Sequence, residues 1–600
     1  MKAHSEDQRL ITRLFFKLLP IQILLAAIAS VNGIVSSLFA SNGVDAAALS
    51  AVGLYGPINM LLGAIGVMMT AGSQLLCGKH MARYEFDRTR GFFTANIVTS
   101  TVVGAVATVI LLLAPALGLT GIFTSDPEVL QYLNPYVLGM AAGVIPLLLS
   151  QQLACFLSLE NKTRRTTIAS IVYIAVNVLL NYLFVSVLDM KALGLALASS
   201  IGLWVFFGIQ AQYFVSGKST MKFSPKDKHR GDTAAILKIG YPGALSTGYQ
   251  ALRGIILNAL ILVYMGSLGS MGLSAFSAVN TFLAVFWSVH GGSLAVTRML
   301  IGTSIGEEDR TSLANVMRVA MQRMIPILCL LAAVLSLLAH PLAGLYYQNP
   351  DEDVFRMAEW GFRILPWCMP IALISTHFVA YGQASGKNAM VHVLSALDGV
   401  ICVAGLSAII MPLIMPKESI AVINGPYLAN ILNNIICALV VLLFAVIAHK
   451  RMPRNMEELM VIPADFGVEK DARIDISVRS MDEVLTVSKQ VIAFCRSRGI
   501  DEARAYRAGL FLEEMAGNVV DHGFHKDKKH HSVDIRVAHK DDDVILRIKD
   551  DCVPFDPAER AALMSPQDQV RNMGIRLVYK AAKKIDYQNM LGLNVLTIRI

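Results

Sequence analysis

Ionised side chains are scarce in this chain: 16% of its 600 residues are Asp, Glu, Lys or Arg, against 54% hydrophobic residues. That balance excludes an ordinary soluble globular protein, in which about a quarter of the residues are charged. Acidic residues are missing altogether between Asp7 and Asp45. Paired cysteines are lacking too. Cys77, Cys155, Cys329, Cys368, Cys402, Cys437, Cys495 and Cys552 stand singly, which excludes a zinc-ribbon spacing or a disulfide scaffold and leaves free thiols. No Gly-x-x-x-x-Gly-Lys-Ser/Thr loop occurs, so no P-loop is available to power a pump. The polar start, Met1 to Arg9, has no cleavage-site pattern, and the first apolar run therefore reads as a retained span.

What the chain has instead is long apolar runs. A run of about 18 or more such residues reads as a membrane-crossing helix, because lipid offers no partner to backbone N–H and C=O groups. About twelve occur before Lys450, six between residues 18 and 215 and six between 237 and 448, the seventh and eighth placed at 237–265 and 270–297. The net charge of +8 lies in alternate loops, with Arg13 and Lys17, Lys79 and Arg83, Lys162 and Arg164, Lys218 and Lys222, Arg298 and Arg310, Lys387, and Lys450 and Arg451. Asp45, Asp126, Glu128, Asp351, Glu352 and Asp353 fill the others. This bias puts both termini in the cytoplasm. It uses up the basic residues in orientation and speaks against nucleic acid as a partner.

The membrane part is also repeated. Pro20 is answered by Pro242, Leu49-Ser50-Ala51 by Leu273-Ser274-Ala275, and the loop Glu85-Phe86-Asp87-Arg88-Thr89 by Glu307-Glu308-Asp309-Arg310-Thr311, at an offset of about 222 residues. An even number of helices per copy makes the copies parallel, an architecture of transporters whose substrate path lies between the halves.

Val31-Asn32-Gly33-Ile34, Leu49-Ser50-Ala51-Val52-Gly53, Asn177-Val178-Leu179-Leu180-Asn181-Tyr182 and Gly194-Leu195-Ala196-Leu197-Ala198, in this order within residues 10 to 450, resemble the bacterial multidrug and toxic compound extrusion (MATE) transporters. The resemblance implies about twelve transmembrane helices in two six-helix bundles, set in the bacterial inner membrane. It also implies antiport of a small organic, often cationic, substrate against H+ or Na+. Where the family commonly carries an acidic residue in the first helix, this chain has Asn32, whose amide can ligate sodium but cannot carry a proton. The matching place in the second half holds Arg253. An ionised group at membrane depth usually faces a cavity or a partner, which makes Arg253 and Asp398 the candidate pathway residues, with Asp398 either the partner of Arg253 or a substrate-facing carboxylate. Snorkelling or bonding to carbonyls is the structural alternative for Arg253. His290 and His377 either titrate or pack, and Asn177 and Asn181 either line the path or tie helices together.

After Arg454 the composition becomes that of a soluble domain. Alternation marks strands at 474–478, 533–537, 544–548 and 594–600, with helices after Ser480 and Asp501, a two-layer α+β sandwich. Domain limits are expected at 1–230, 231–452 and 466–600. Glu514 and Asn518, four apart, share a helix face. Together with Asp550-Asp551-Cys552 after a strand and Asn572-Met573-Gly574 before a helix, they resemble the nucleotide-binding boxes of the histidine-kinase-like ATPase fold, of the anti-sigma-factor serine kinase type. The resemblance implies a Mg-ATP site with Asn518 as magnesium ligand, Glu514 as candidate general base, Asp550 as the reader of adenine, and Asn572 and Gly574 in the phosphate loop. Cys552 and Asn572 replace glycines of that pattern, which puts nucleotide binding in question. The expectation is a cation-coupled exporter with a regulatory cytoplasmic domain. The alternatives are a membrane sensor whose C-terminal domain phosphorylates or sequesters a cytosolic protein partner, and a flippase for lipids or polymer precursors.

Overall fold

The computed structural model describes residues 10–28, 39, 44, 46–124, 126–347, 349–414, 419–468, 470–524, 531–540, 542–562 and 572–600. Among them, apolar helices of crossing length run Leu10–Ile28, Ala51–Ala82, Phe86–Leu113, the bent pair Pro127–Ala141 and Val144–Leu159, Thr163–Val187 and Lys191–Val215. The second half contributes Asp232–Met265, Gly269–Gly306, Arg310–Leu337, Asp353–Ser385, Asn388–Leu413 and Ile420–His449. We number these spans 1 to 12. Spans 7 and 8 form an almost uninterrupted helical stretch of 75 residues, which as one straight helix would be roughly 110 Å long, far beyond a hydrocarbon core of about 30 Å. The chain reverses instead at Gly266, where φ is +53°. Gly269 and Gly272 then pack directly on Leu262 and Met265.

Small residues set the closest approaches between helices, as expected where lipid removes any hydrophobic incentive to pack. A Cβ on Gly240 of span 7 would stand 1.8 Å from the carbonyl oxygen of Met68 in span 2, and one on Gly72 would stand 2.2 Å from that of Ile236. Gly302 and Gly306 of span 8 lie likewise against the backbones of Leu75 and Lys79. These contacts join the two bundles near the ends that carry the soluble domain. Span 8 extends to Gly306 rather than stopping near 297, since nothing between Ala295 and Ile305 breaks a helix. Arg298 is therefore inside span 8 and not in the following loop.

The repeat reaches into local detail. Spans 5 and 11 both widen into π-helical turns, Tyr182–Val187 and Leu397–Ile401, deviations that often mark functional positions.

The C-terminal domain is a five-stranded antiparallel sheet in the order β1-β2-β3-β5-β4: β1 Arg473–Val478, β2 Val533–Lys540, β3 Asp543–Asp550, β4 Lys584–Met590 and β5 Leu593–Arg599. The helices Met481–Ser497 and Glu502–Asn518 cover one face. Their N-termini are capped by Ser480, which accepts from the Glu483 amide, and Asp501, which accepts from Arg504. Ile535, Val537, Leu546, Ile548, Leu596 and Ile598 point into this layer and bury its core. Strand β4 goes beyond the four strands expected. Its sequence, Lys-Ile-Asp-Tyr-Gln-Asn-Met, is too polar to signal a strand, because it lies at the sheet edge with β5 as its sole neighbour. The final strand is consequently interior.

Candidate functional site

Two sets of residues carry chemistry, one at membrane depth and one in the C-terminal domain. In the membrane, Asn32 lies outside the described residues. Arg253 of span 7 donates from Nη1 to the main-chain carbonyl of Asp398, 3.1 Å away, at the π-turn of span 11. The Asp398 carboxylate is turned to Asn433 of span 12, whose Nδ2 donates to Oδ1 at 2.8 Å. Arg253 and Asp398 are thus brought together through backbone, and the carboxylate is positioned by an amide. The carbonyl that receives the guanidinium thus belongs to the π-turn itself. Gly399 in the same turn has no room for a side chain, with a Cβ placed 2.3 Å from Tyr249 Cβ.

Asn177 donates to Ser199 Oγ at 3.3 Å, joining spans 5 and 6, and Asn181 donates to Asn177 at its main-chain and side-chain oxygens. His290 pairs with Thr376, and His377 with Ser293 and the Leu373 carbonyl, joining spans 8 and 10. Gln152 is a further buried amide centre, and like Asn177 and Asn181 it ties helices together. Its Oε1 accepts from Thr70 Oγ1 (3.1 Å) and Asn96 Nδ2 (3.0 Å), and its Nε2 donates to Gly66 O, which knots spans 2, 3 and 4. Asn96 gives no sequence signal beyond being a lone amide in an apolar run.

In the C-terminal domain, a cavity of about 310 Å³ opens between the helix ending at Asn518 and the ends of β3 and β5. Asn518, Asp550, Cys552 and Asn572 line it, as do Arg560 and Tyr587. Asn518 donates its Nδ2 to the Glu514 carbonyl at 2.5 Å, which leaves the amide oxygen as its ligating atom. Asp550 is buried at the end of β3; its Oδ1 accepts from the Cys552 amide (3.0 Å) and from Asn594 Nδ2 (2.7 Å). Burial pushes its carboxyl above the usual carboxylate range. Tyr587 spans the same wall, donating to Asn594 Oδ1 at 2.9 Å and accepting from the Phe555 amide at 3.0 Å, with its own pKa pushed up to about 12 by burial. Asn594 and Tyr587 were missed because neither belongs to a motif; the sheet alone brings them to Asp550.

Glu514 packs on Gly574 beside this cavity. A Cβ at Gly574 would fall 1.7 Å from Glu514 Oε2, so a side chain here would push the Glu514 carboxylate from its present position. Neither Cys552 nor Asn572 is among the residues with positive φ, and Asn572 sits at φ −103°. Replacing glycine at these two places therefore costs no backbone strain. The set comprises an amide oxygen for a hard cation, a carboxylate at the cavity wall and a glycine in the first turn of a helix. It fits a magnesium nucleotide by donor chemistry. Residues 563–571, which precede the helix Met573–Ala581, lie outside the described residues.

A MatE family profile matches residues 22–183 and 254–413, and a histidine kinase-like ATPase domain profile matches residues 479–600. The chain is 21% identical over 358 residues to a probable multidrug resistance protein NorM from Photorhabdus laumondii, a span of 58% of this chain and 76% of that one. Similar solved structures include an outward-facing MATE-family multidrug resistance transporter of the MOP superfamily. It shares 17% identity and a TM-score of 0.66, over 73% of this chain and 96% of that one. A MOP-superfamily transporter from Pyrococcus furiosus matches at 18% identity and TM-score 0.66, covering 73% and 97%. At such identities the likeness is one of fold.

Proposed function

The chain belongs to the MatE family, and from that premise we propose that its membrane body exports small organic compounds across a bacterial inner membrane by alternating access, driven by an inward cation gradient. The observation that carries this reading is the pair of repeated six-span bundles in contact through spans 2, 7 and 8 near the ends that carry the soluble domain. With the basic loops and the C-terminal domain in the cytoplasm, that contact is the closed inner gate.

Coupling is assigned to the second bundle. In the first half of the sequence the matching residue is Asn32, which cannot take a proton, whereas Asp398 is a carboxylate at membrane depth held by Asn433, beside the cation Arg253. Whether the ion is H+ or Na+, Asp398 is the group that would release or accept it. Efflux of a fluorescent substrate from proteoliposomes under imposed proton or sodium gradients tests this. Asp398→Asn should abolish gradient dependence while leaving exchange without a gradient. Equal accumulation with and without either gradient in the parent protein refutes antiport.

The C-terminal domain is read as a regulatory Mg-ATP site. Asn518 would hold the magnesium ion, Asp550 would accept from the purine amino group, and the start of the helix Met573–Ala581 would face the phosphates. The nucleotide, when bound, supplies negative charge and binding energy to bias the body's conformations, provided its affinity differs between them. The chain's own contribution is to orient these groups and exclude water with Phe555 and Tyr587. Binding of a fluorescent ATP analogue to the full chain, lost in Asn518→Ala, tests the site.

A further inference from the structure

The face of the C-terminal sheet opposite its helices is docked on the membrane body, and neighbouring strands of it hold different bundles. On β5, Thr597 Oγ1 and the Val595 carbonyl lie 3.0 and 3.3 Å from the hydroxyl of Tyr84, which stands in the loop between spans 2 and 3 of the first bundle. On β3, Arg547 donates to the Glu307 carbonyl at 3.2 Å and Lys549 pairs with the Glu307 carboxylate, in the loop between spans 8 and 9 of the second bundle. Arg547 is the cross-strand partner of Thr597, and Lys549 that of Val595. The two grips are therefore one ladder step apart, about 4.8 Å.

More contacts extend each side. Arg13, at the start of span 1, pairs with Asp551 at 3.3 Å, and the Leu591 amide in the β4–β5 turn donates to the Leu159 carbonyl at 3.1 Å. On the second bundle, Lys540 pairs with Glu308 at 2.5 Å and Arg536 with Asp309 at 2.6 Å. Arg83 and Glu308 also meet directly across the gap at 3.3 Å. The two repeat-related loops differ in this respect. In the first copy Arg88 turns to Asp232 of its own membrane body, while the second copy presents Glu307, Glu308 and Asp309 to the sheet.

We propose that this sheet face is a staple across the inner gate: β5 holds the first bundle, β3 the second, and the bundles part on the cytoplasmic side only when the staple is released. The pleat supplies the trigger. Along β3, Arg547 and Lys549 face the membrane body, while Ile548 and Asp550, one residue out of step, line the nucleotide cavity on the other face. Resting on the nucleotide reading above, the net negative charge of a magnesium nucleotide then lies across one sheet thickness from Glu307 and Asp309. Like charges on the two faces oppose each other. Nucleotide binding weakens the staple.

The test uses the full chain in lipid nanodiscs, with spin labels at Arg164→Cys and Asn388→Cys, at the first turns of span 5 in the first bundle and span 11 in the second. The distance distribution is read without any transport substrate, so its outcome is independent of the export reading. Glu307→Lys should move at least a third of the population to a longer distance, and adding Lys549→Glu should restore the parent distribution. The milder pair Tyr84→Phe with Thr597→Val, which removes the Tyr84 contact of the first bundle and no charge, should shift it in the same direction by a smaller amount. Magnesium ATP should lengthen the parent distribution. Unchanged distances in all the variants overturn the staple. Nucleotide that binds, by the fluorescent analogue, yet leaves or shortens the distance overturns the trigger, and failure of the analogue to bind refutes the nucleotide reading while the charge swap still decides the staple.

Discussion

Asp309 is the most informative single residue in the docked interface, and Asp309→Asn is the substitution that isolates its charge. Its side chain is 5% exposed. Oδ1 pairs with Arg536 at 2.6 Å and accepts from the Ser312 amide at 2.7 Å, and Oδ2 accepts from Ser312 Oγ at 2.7 Å and lies 3.7 Å from Lys549. Removing one partner of a buried ion pair costs about 3–5 kcal/mol, because the other charge is left without compensation. Here Arg536 keeps Asp475 at 2.5 Å, and asparagine still caps the helix starting at Arg310. The expected cost is therefore smaller, about 2–3 kcal/mol, or roughly a 30- to 150-fold shift of the docking equilibrium. Limited proteolysis of the linker between residues 451 and 465 reads the undocked population when opening is fast relative to cleavage, and the cleavage rate should rise by that factor. Asp309→Ala loses the cap as well and should cost about 1 kcal/mol more. Burial alone would raise the Asp309 pKa, but Arg536 and Lys549 hold it well below the usual carboxylate range. A depressed docked-state pKa stabilises docking above the undocked value, near 3.9, and the contribution is lost as pH falls below it. Cleavage should thus be flat from about pH 5 to 8 and rise below about pH 4. Cleavage unchanged by Asp309→Asn at neutral pH would refute the reasoning.

Three further substitutions separate the remaining assignments. Gly240→Ala forces a Cβ toward the Met68 carbonyl, a backbone atom that cannot step aside, and should destabilise the closed gate by about 1–3 kcal/mol, seen as a lower Tm in detergent and a longer distance between the bundles. Asp550→Asn keeps an oxygen to accept from Cys552 and Asn594 while removing a buried carboxylate whose pKa is raised. The domain should be as stable or more so at pH 7, with the advantage lost as pH falls through the carboxylate range, yet bind adenine nucleotide at least tenfold more weakly. Gln152→Ala strips Thr70, Asn96 and the Gly66 carbonyl of their shared partner and leaves a void, which should cost about 2–4 kcal/mol and lower the Tm without altering nucleotide binding.

Much of this protein is written locally in its chain. Apolar runs of crossing length must become helices in lipid, so the number of spans, the repeat and the change to a soluble domain after Arg454 are legible without a structure. So is the resemblance of the segment carrying Asn518, Asp550 and Gly574 to the histidine kinase-like ATPase fold, which the domain profile over residues 479–600 matches. The tertiary structure alone decided what these residues meet. Arg253 and Asp398 lie 145 positions apart and are joined through a main-chain carbonyl in a π-turn. Strand β4 is too polar to announce itself and exists because β5 pairs with it at the edge. Glu307, Glu308 and Asp309 read as a solvated loop, because nothing within several residues of them reveals that Lys540, Lys549 and Arg536 will arrive from more than two hundred positions away. Periodicity and motif spacing report neighbours on one helix or strand; pairing between distant loops and a sheet face is set only by how the packed domains come together.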